Sequence, residues 1–184
     1  MKRLLRSKRL LRSASALAGL ALITACETDH TAPSGVRQVT AAFYPGVTGS
    51  YTGTGVVRLT SYGATHTITC PLTVDVPTQA DSSFSGAFAV QATGDCSSQS
   101  GTVNGAVRPD GTLWFIADTP TPGANVFADA ATETGCTLVS TTGSFSGSLS
   151  GNVISAAGQG VYDCPNAWGT YRVTADVSVS VTRS

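Results

Sequence analysis

Residues 65–76 read "THTITCPLTVDV" and residues 171–182 read "YRVTADVSVSVT". In the first stretch His66, Ile68, Cys70, Leu72, Val74 and Val76 alternate with Thr65, Thr67, Thr69, Pro71, Thr73 and Asp75. In the second, Tyr171, Val173, Ala175, Val177, Val179 and Val181 alternate with Arg172, Thr174, Asp176, Ser178, Ser180 and Thr182. Successive side chains of a strand point to opposite faces. A strict two-residue period therefore makes strands with one apolar and one hydrated face.

Working outward, the same period recurs at Phe84, Phe88 and Val90 and at Phe145, Leu149 and Val153. No window of the body carries a convincing helical period; "ANVFADAATETG" (124–135) has room for one helical turn. The pattern predicts eight or nine strands, over about 49–60, 65–77, 83–93, 100–108, 112–118, 136–141, 144–154, 159–164 and 169–182. Asp110-Gly111 marks a hairpin turn, and the longest gap is 119–135. Pro71 cannot donate to a ladder, so it implies an edge or a bulge. Gly53, Gly55, Gly86, Gly105, Gly147 and Gly151 fall on the apolar face, where the missing side chain permits the sharp coiling that closure needs. The expected fold is all-β, an antiparallel meander closed into a β-barrel; a two-sheet sandwich explains the same alternation and is the alternative.

The first strand opens with Gly49-Ser50-Tyr51. This resembles the Gly-x-Trp that opens the first strand of lipocalins and similar calycin barrels, with Tyr51 in place of Trp. The resemblance implies a barrel that binds a small apolar molecule, and a basic partner from the last strand, Arg172 or Arg183. Candidate ligand contacts on this reading are Tyr51, Phe84, Phe88 and Phe145. Trp114, in the doubly apolar strand "TLWFIAD", and Trp168, in the loop "CPNAWGTY", are either packing residues or exposed aromatic contacts for a ligand or partner. The packing reading has Trp168 plugging a barrel end beside the Cys164 disulfide.

The first 25 residues differ in kind from the rest. "MKRLLRSKRLLR" is basic, and "SASALAGLALITA" is apolar or small throughout. A basic start, a short apolar run and small residues before a cut site form an export signal, and the run is shorter than the roughly 20 residues a membrane span requires. Ile23-Thr24-Ala25-Cys26 resembles the bacterial lipobox. That resemblance implies cleavage before Cys26, diacylation of its thiol and anchorage in the cell envelope. Glu27 follows where enteric-type sorting places Asp for inner-membrane retention, so the resemblance points to the outer membrane. The expected organisation is a signal peptide at 1–25, a lipidated cysteine and tether at 26–47, and one domain at 48–184.

Once the signal is removed, the body keeps five Arg, no Lys and all eleven acids, a net charge of −6. That argues against nucleic-acid binding, which needs clustered cations. With Cys26 assigned to lipid, Cys70, Cys96, Cys136 and Cys164 remain, an even number that reads as two disulfides in an exported chain. Three pairings are open; Cys70–Cys96 and Cys136–Cys164 close loops of similar size. No C-x-x-C spacing supports a metal site, and no cofactor motif is present. His66 is the one plausible catalytic base of the body, "GSFSG" carries Phe145 where a nucleophile elbow has Ser, and no enzyme is expected. Three roles compete: a structural or protein-interaction module of the envelope, taken first by default, a barrel that holds a small apolar ligand, and, last, an enzyme, which would need His66 to face a cleft with an acid and a hydroxyl nearby.

Overall fold

The computed structural model describes residues 42–120 and 125–184. The stretch read as an export signal, Cys26 and most of the expected tether lie outside the described residues. Thr40–Ser184 forms one unit. Among the described residues there are nine strands: β1 (Gly49–Ser61), β2 (Ala64–Ala80), β3 (Ser83–Val90), β4 (Gln99–Val107), β5 (Thr112–Asp118), β6 (Thr137–Thr141), β7 (Phe145–Ser150), β8 (Val153–Asn166) and β9 (Gly169–Arg183), with one helix, α1 (Val126–Thr134). Every pairing between strands is antiparallel.

Eight strands run β1-β2-β3-β4-β5-β7-β8-β9, and β9 pairs back with β1, which closes the barrel. β6 stands outside this ring. It pairs with β8 at Gly160–Asp163, along the same edge that β7 uses at Val153–Ala157. The expected meander therefore holds except at this step. Closure leaves no long open edge, the hazard of any isolated sheet.

The alternating pattern becomes the inside and outside of the barrel. Tyr51, Leu72, Val76, Phe84, Val103, Val107, Leu113, Phe145, Ile154 and Val181 are buried in a single cluster. The Ser and Thr residues between them face solvent for the most part. Coiling this tight brings neighbouring backbones into the space of an inward side chain. A Cβ on Gly53 would overlap the Ser180 carbonyl, so only glycine fits there.

Three sequence expectations are corrected. The chain does not run through 144–154 as one strand: a two-residue turn at Gly151-Asn152 separates β7 from β8. Gly151 has φ 57°, which glycine adopts without strain, so it serves the turn and not the coiled wall. The single helical turn is a nine-residue helix, capped by Asn125 Oδ1, which accepts from the N–H groups of Phe127 and Ala128, and ended by Gly135 at φ 67°. Residues 44–47, read as tether, belong to the barrel: Val47 is fully buried in the core and Tyr44 packs against it. Pro71 sits where an edge was expected. Its carbonyl accepts from Gln91 N–H just past the last β2–β3 pair, Leu72 with Val90, so its missing donor points where β3 has ended.

Both disulfides are present, Cys70–Cys96 and Cys136–Cys164. The first ties the 91–98 turn to β2. The second ties Cys136, between α1 and β6, to β8.

Candidate functional site

The two ends of the barrel differ. β1, β3, β5 and β8 run upward from one end and β2, β4, β7 and β9 run down to it. At that lower end Tyr51 is 1% exposed, and its hydroxyl donates to Val47 O at 2.8 Å. Arg183 donates to the Tyr51 hydroxyl from Nε (3.2 Å) and Nη2 (2.7 Å) and to Gly46 O (2.5 Å). Gln79 accepts from Val47 N–H and donates to Pro45 O. Residues 45–47 are thus stitched across the base, and the barrel is closed there. The basic partner of Tyr51 is Arg183. Arg172 pairs instead with Asp163, at 2.9 and 3.0 Å.

The upper end holds a cavity of about 350 Å³ inside the barrel. Its floor is made by Leu72, Val76, Phe84, Val103, Leu113 and Val181, all buried. Higher up, Val57, Leu59, Ile68, Val177 and Val179 also line it, yet each is only half-buried, as is Val74 between the floor residues Leu72 and Val76. Inward-facing aliphatic side chains that stay half-exposed are the mark of unfilled space. The volume falls within the range of small-molecule sites. α1 forms part of the wall, with Val126 and Ala130 lining the cavity. Phe127, 3% exposed, stacks on Phe145 at 5.5 Å, and Phe145 stacks on Phe115 at 5.1 Å. The Tyr162 hydroxyl donates to Phe127 O and fixes the start of the helix against β8; burial pushes its pKa up.

The mouth is polar. Asp95, Ser97 and Gln99 line it from the 91–98 turn and the start of β4, beside the Cys70–Cys96 disulfide. Glu133 and Thr134 line it from the last turn of α1. His66 Nε2 lies 3.8 Å from Asp95, both side chains largely exposed. Among the described residues no group of three or more His, Cys, Asp or Glu gathers as a metal site would require.

Of the candidate ligand contacts, the barrel brings Phe84, Phe88 and Phe145 to the cavity wall. It does not bring Tyr51, Trp114 or Trp168 there. Tyr51 faces inward but does not line the cavity; its hydroxyl is held in the closed base by Val47 and Arg183. Trp114 is on the outer face of β5 and 45% exposed, because the inward positions of that strand belong to Leu113, Phe115 and Ala117. Trp168 is at the tip of the β8–β9 turn, 95% exposed, so it plugs nothing and does not cover the disulfide. Sequence reasoning missed the contribution of α1 and the acidic mouth. The first had only a faint signal, since Val126, Phe127, Ala130 and Ala131 in a nine-residue stretch make a short apolar face. Comparison with known protein families, curated proteins and solved structures returns no match for this chain.

Proposed function

We propose that the protein is an exported barrel, anchored to the bacterial cell envelope through a lipid on Cys26, that holds a small apolar molecule in its interior. The observation that carries the binding role is the 350 Å³ apolar cavity, closed at the base and open at a polar mouth. A purely structural module gains nothing from half-exposed valines facing an unfilled interior, since unburied apolar surface forgoes about 25 cal/mol per Å². The export reading is supported by two disulfides, which persist in oxidising compartments. It is supported also by the order of basic, apolar and small residues before Cys26. Two acyl chains hold a protein at a membrane where one does not, so a diacylated Cys26 would suffice as anchor.

Native mass spectrometry of residues 27–184, purified from the protein's own host, tests the binding role. A bound small molecule is expected, and it should be absent from Gly55→Leu, whose side chain would occupy the cavity. Recovery of the unmodified barrel always empty, with no uptake of added apolar probes, would count against it. For the anchor, Cys26→Ser should move the protein from the membrane to the soluble fraction. A variant that stays fully membrane-bound would sink the lipid reading.

A further inference from the structure

The apolar cavity says nothing by itself about the polar end of its ligand. The mouth does. The two ionisable side chains that line the cavity are both acids, Asp95 from the 91–98 turn and Glu133 from α1, and they come from separate elements. The positive groups of the described barrel lie elsewhere. Arg172 does not line the cavity and is held by Asp163 through two hydrogen bonds. Arg58 is on the outer face of β1, opposite Asp176 of β9. Arg183 is consumed in the closed base, and Arg108 is in the β4–β5 turn at that same end. His66 is the one basic side chain beside the mouth, and it faces Asp95.

An amphiphile entering tail-first leaves its head at this rim. A carboxylate or phosphate head would meet two like charges, with no arginine or lysine among the described residues that line the cavity and with His66 already facing Asp95. A cationic head would lie against two carboxylates at the edge of a low-dielectric cavity, where opposite charges attract more strongly than in bulk water. We infer that the occupant is an apolar molecule with a cationic end, an alkylamine or quaternary ammonium type of amphiphile, whose charge is met by Asp95 and Glu133. The inference rests on the ligand-binding reading above.

The test uses three probes with one tail: decyltrimethylammonium, decanol and decanoate, titrated calorimetrically into residues 27–184 at low salt and at a pH where ordinary imidazoles are neutral. The cation should bind about tenfold or more tighter than the carboxylate, with decanol between them. The gap should narrow as salt rises from about 20 mM to about 500 mM. Asp95→Asn with Glu133→Gln should abolish the preference and leave decanol binding unchanged. If that double variant fails to unfold cooperatively, the single variants and the salt series on the unmodified protein decide. Equal binding of all three probes, or tightest binding of decanoate, would overturn the charge inference and leave the apolar-ligand reading standing. If none of the three binds, it is the ligand-binding reading itself that fails.

Discussion

The guanidinium carbon of Arg183, in the last strand, sits 5.3 Å from the centre of the Tyr51 ring, in the first strand, while two of its nitrogens donate to the Tyr51 hydroxyl. The residues are 132 positions apart in sequence. The contact joins the two ends of the barrel at the seam where β9 returns to β1, and it anchors the segment 46–47 across the base. The Tyr51 hydroxyl both donates, to Val47 O, and accepts, from Arg183, so removing it leaves partners unmatched in a buried place.

Tyr51→Phe should therefore cost about 1–3 kcal/mol, the usual penalty for orphaning buried polar groups. Arg183→Met should cost a similar amount. The two losses should not add, because they remove one shared network. Urea unfolding of both singles and the double checks this; full additivity would mean that the seam contact carries no coupling.

The disulfides brace the upper end and leave the base alone. By the loop-closure model, closing loops of 26 and 28 residues contributes about 3–4 kcal/mol each. Removing Cys136–Cys164 as a Ser/Ser pair should do more than lower the unfolding midpoint. It should free the C-terminal end of α1 from β8, so amides of α1 exchange faster with solvent while those of β1, β2 and β9 keep most of their protection. Uniform loss of protection across the barrel would show that α1 is not a separate unit.

Much of this fold is legible in the sequence because burial on one face of a strand writes itself as a two-residue period. In "YRVTADVSVSVT" each inward residue is apolar and each outward one polar, and β9 covers that stretch. The period fails where the chain turns without losing its alternation. Leu149 and Val153 are in phase across Gly151-Asn152, so a two-residue turn is invisible to periodicity, although it reverses the strand and makes Ile154 and Ala156 the inward residues of β8. Helix α1 was hidden for a different reason. Its stability derives from tertiary support, namely the Phe127–Phe145 stack, the Tyr162 hydrogen bond and the Cys136–Cys164 link, more than from local propensity. As for the site, Phe84, Phe88 and Phe145 follow from the pattern. Tyr51 has the same inward phase and is in register with Val74, a cavity residue; what keeps it from the cavity is the base, where its hydroxyl is held by Val47 and Arg183. Asp95 and Glu133 reach the mouth from a turn and a helix, where no period operates.

The ion pair between Asp163 of β8 and Arg172 of β9 offers a pH test. The hydrogen bond and charge of Arg172 hold the Asp163 carboxyl below its ordinary value, and those of Asp163 raise the Arg172 pKa. A carboxyl with a depressed folded pKa favours the folded state above its unfolded pKa and loses that contribution as pH falls through the folded one. The effect thus belongs to the acid side, below about pH 4, and because both groups are exposed it is small. Arg172→Gln should return the Asp163 titration, followed by carboxyl carbon NMR, upward towards the ordinary range. An unchanged midpoint would mean that the pair is not formed in solution.

Two glycines on the inner face of β1 separate packing from binding. At Gly53 an added Cβ would overlap the Ser180 carbonyl of β9, a backbone atom that cannot give way without moving the seam. At Gly55, two residues on and on the same face, an added Cβ meets nothing within 4 Å, because the position opens onto the cavity. Gly53→Ala should therefore destabilise the barrel by about 2 kcal/mol or more, through backbone strain with no loss of apolar contact. Gly55→Leu should be neutral or stabilising, since it adds apolar surface to a half-filled interior and removes backbone freedom from the unfolded chain. The two variants should part company again in binding. Gly55→Leu should lose uptake of an apolar probe such as decanol while melting at or above the temperature of the unmodified protein. Gly53→Ala, where it folds, should keep uptake, because Gly53 does not line the cavity and the added methyl is directed at the β9 backbone. Retention of full binding by Gly55→Leu would place the ligand outside the barrel interior, and destabilisation of that variant by as much as Gly53→Ala would mean that the space beside Gly55 is already filled in solution.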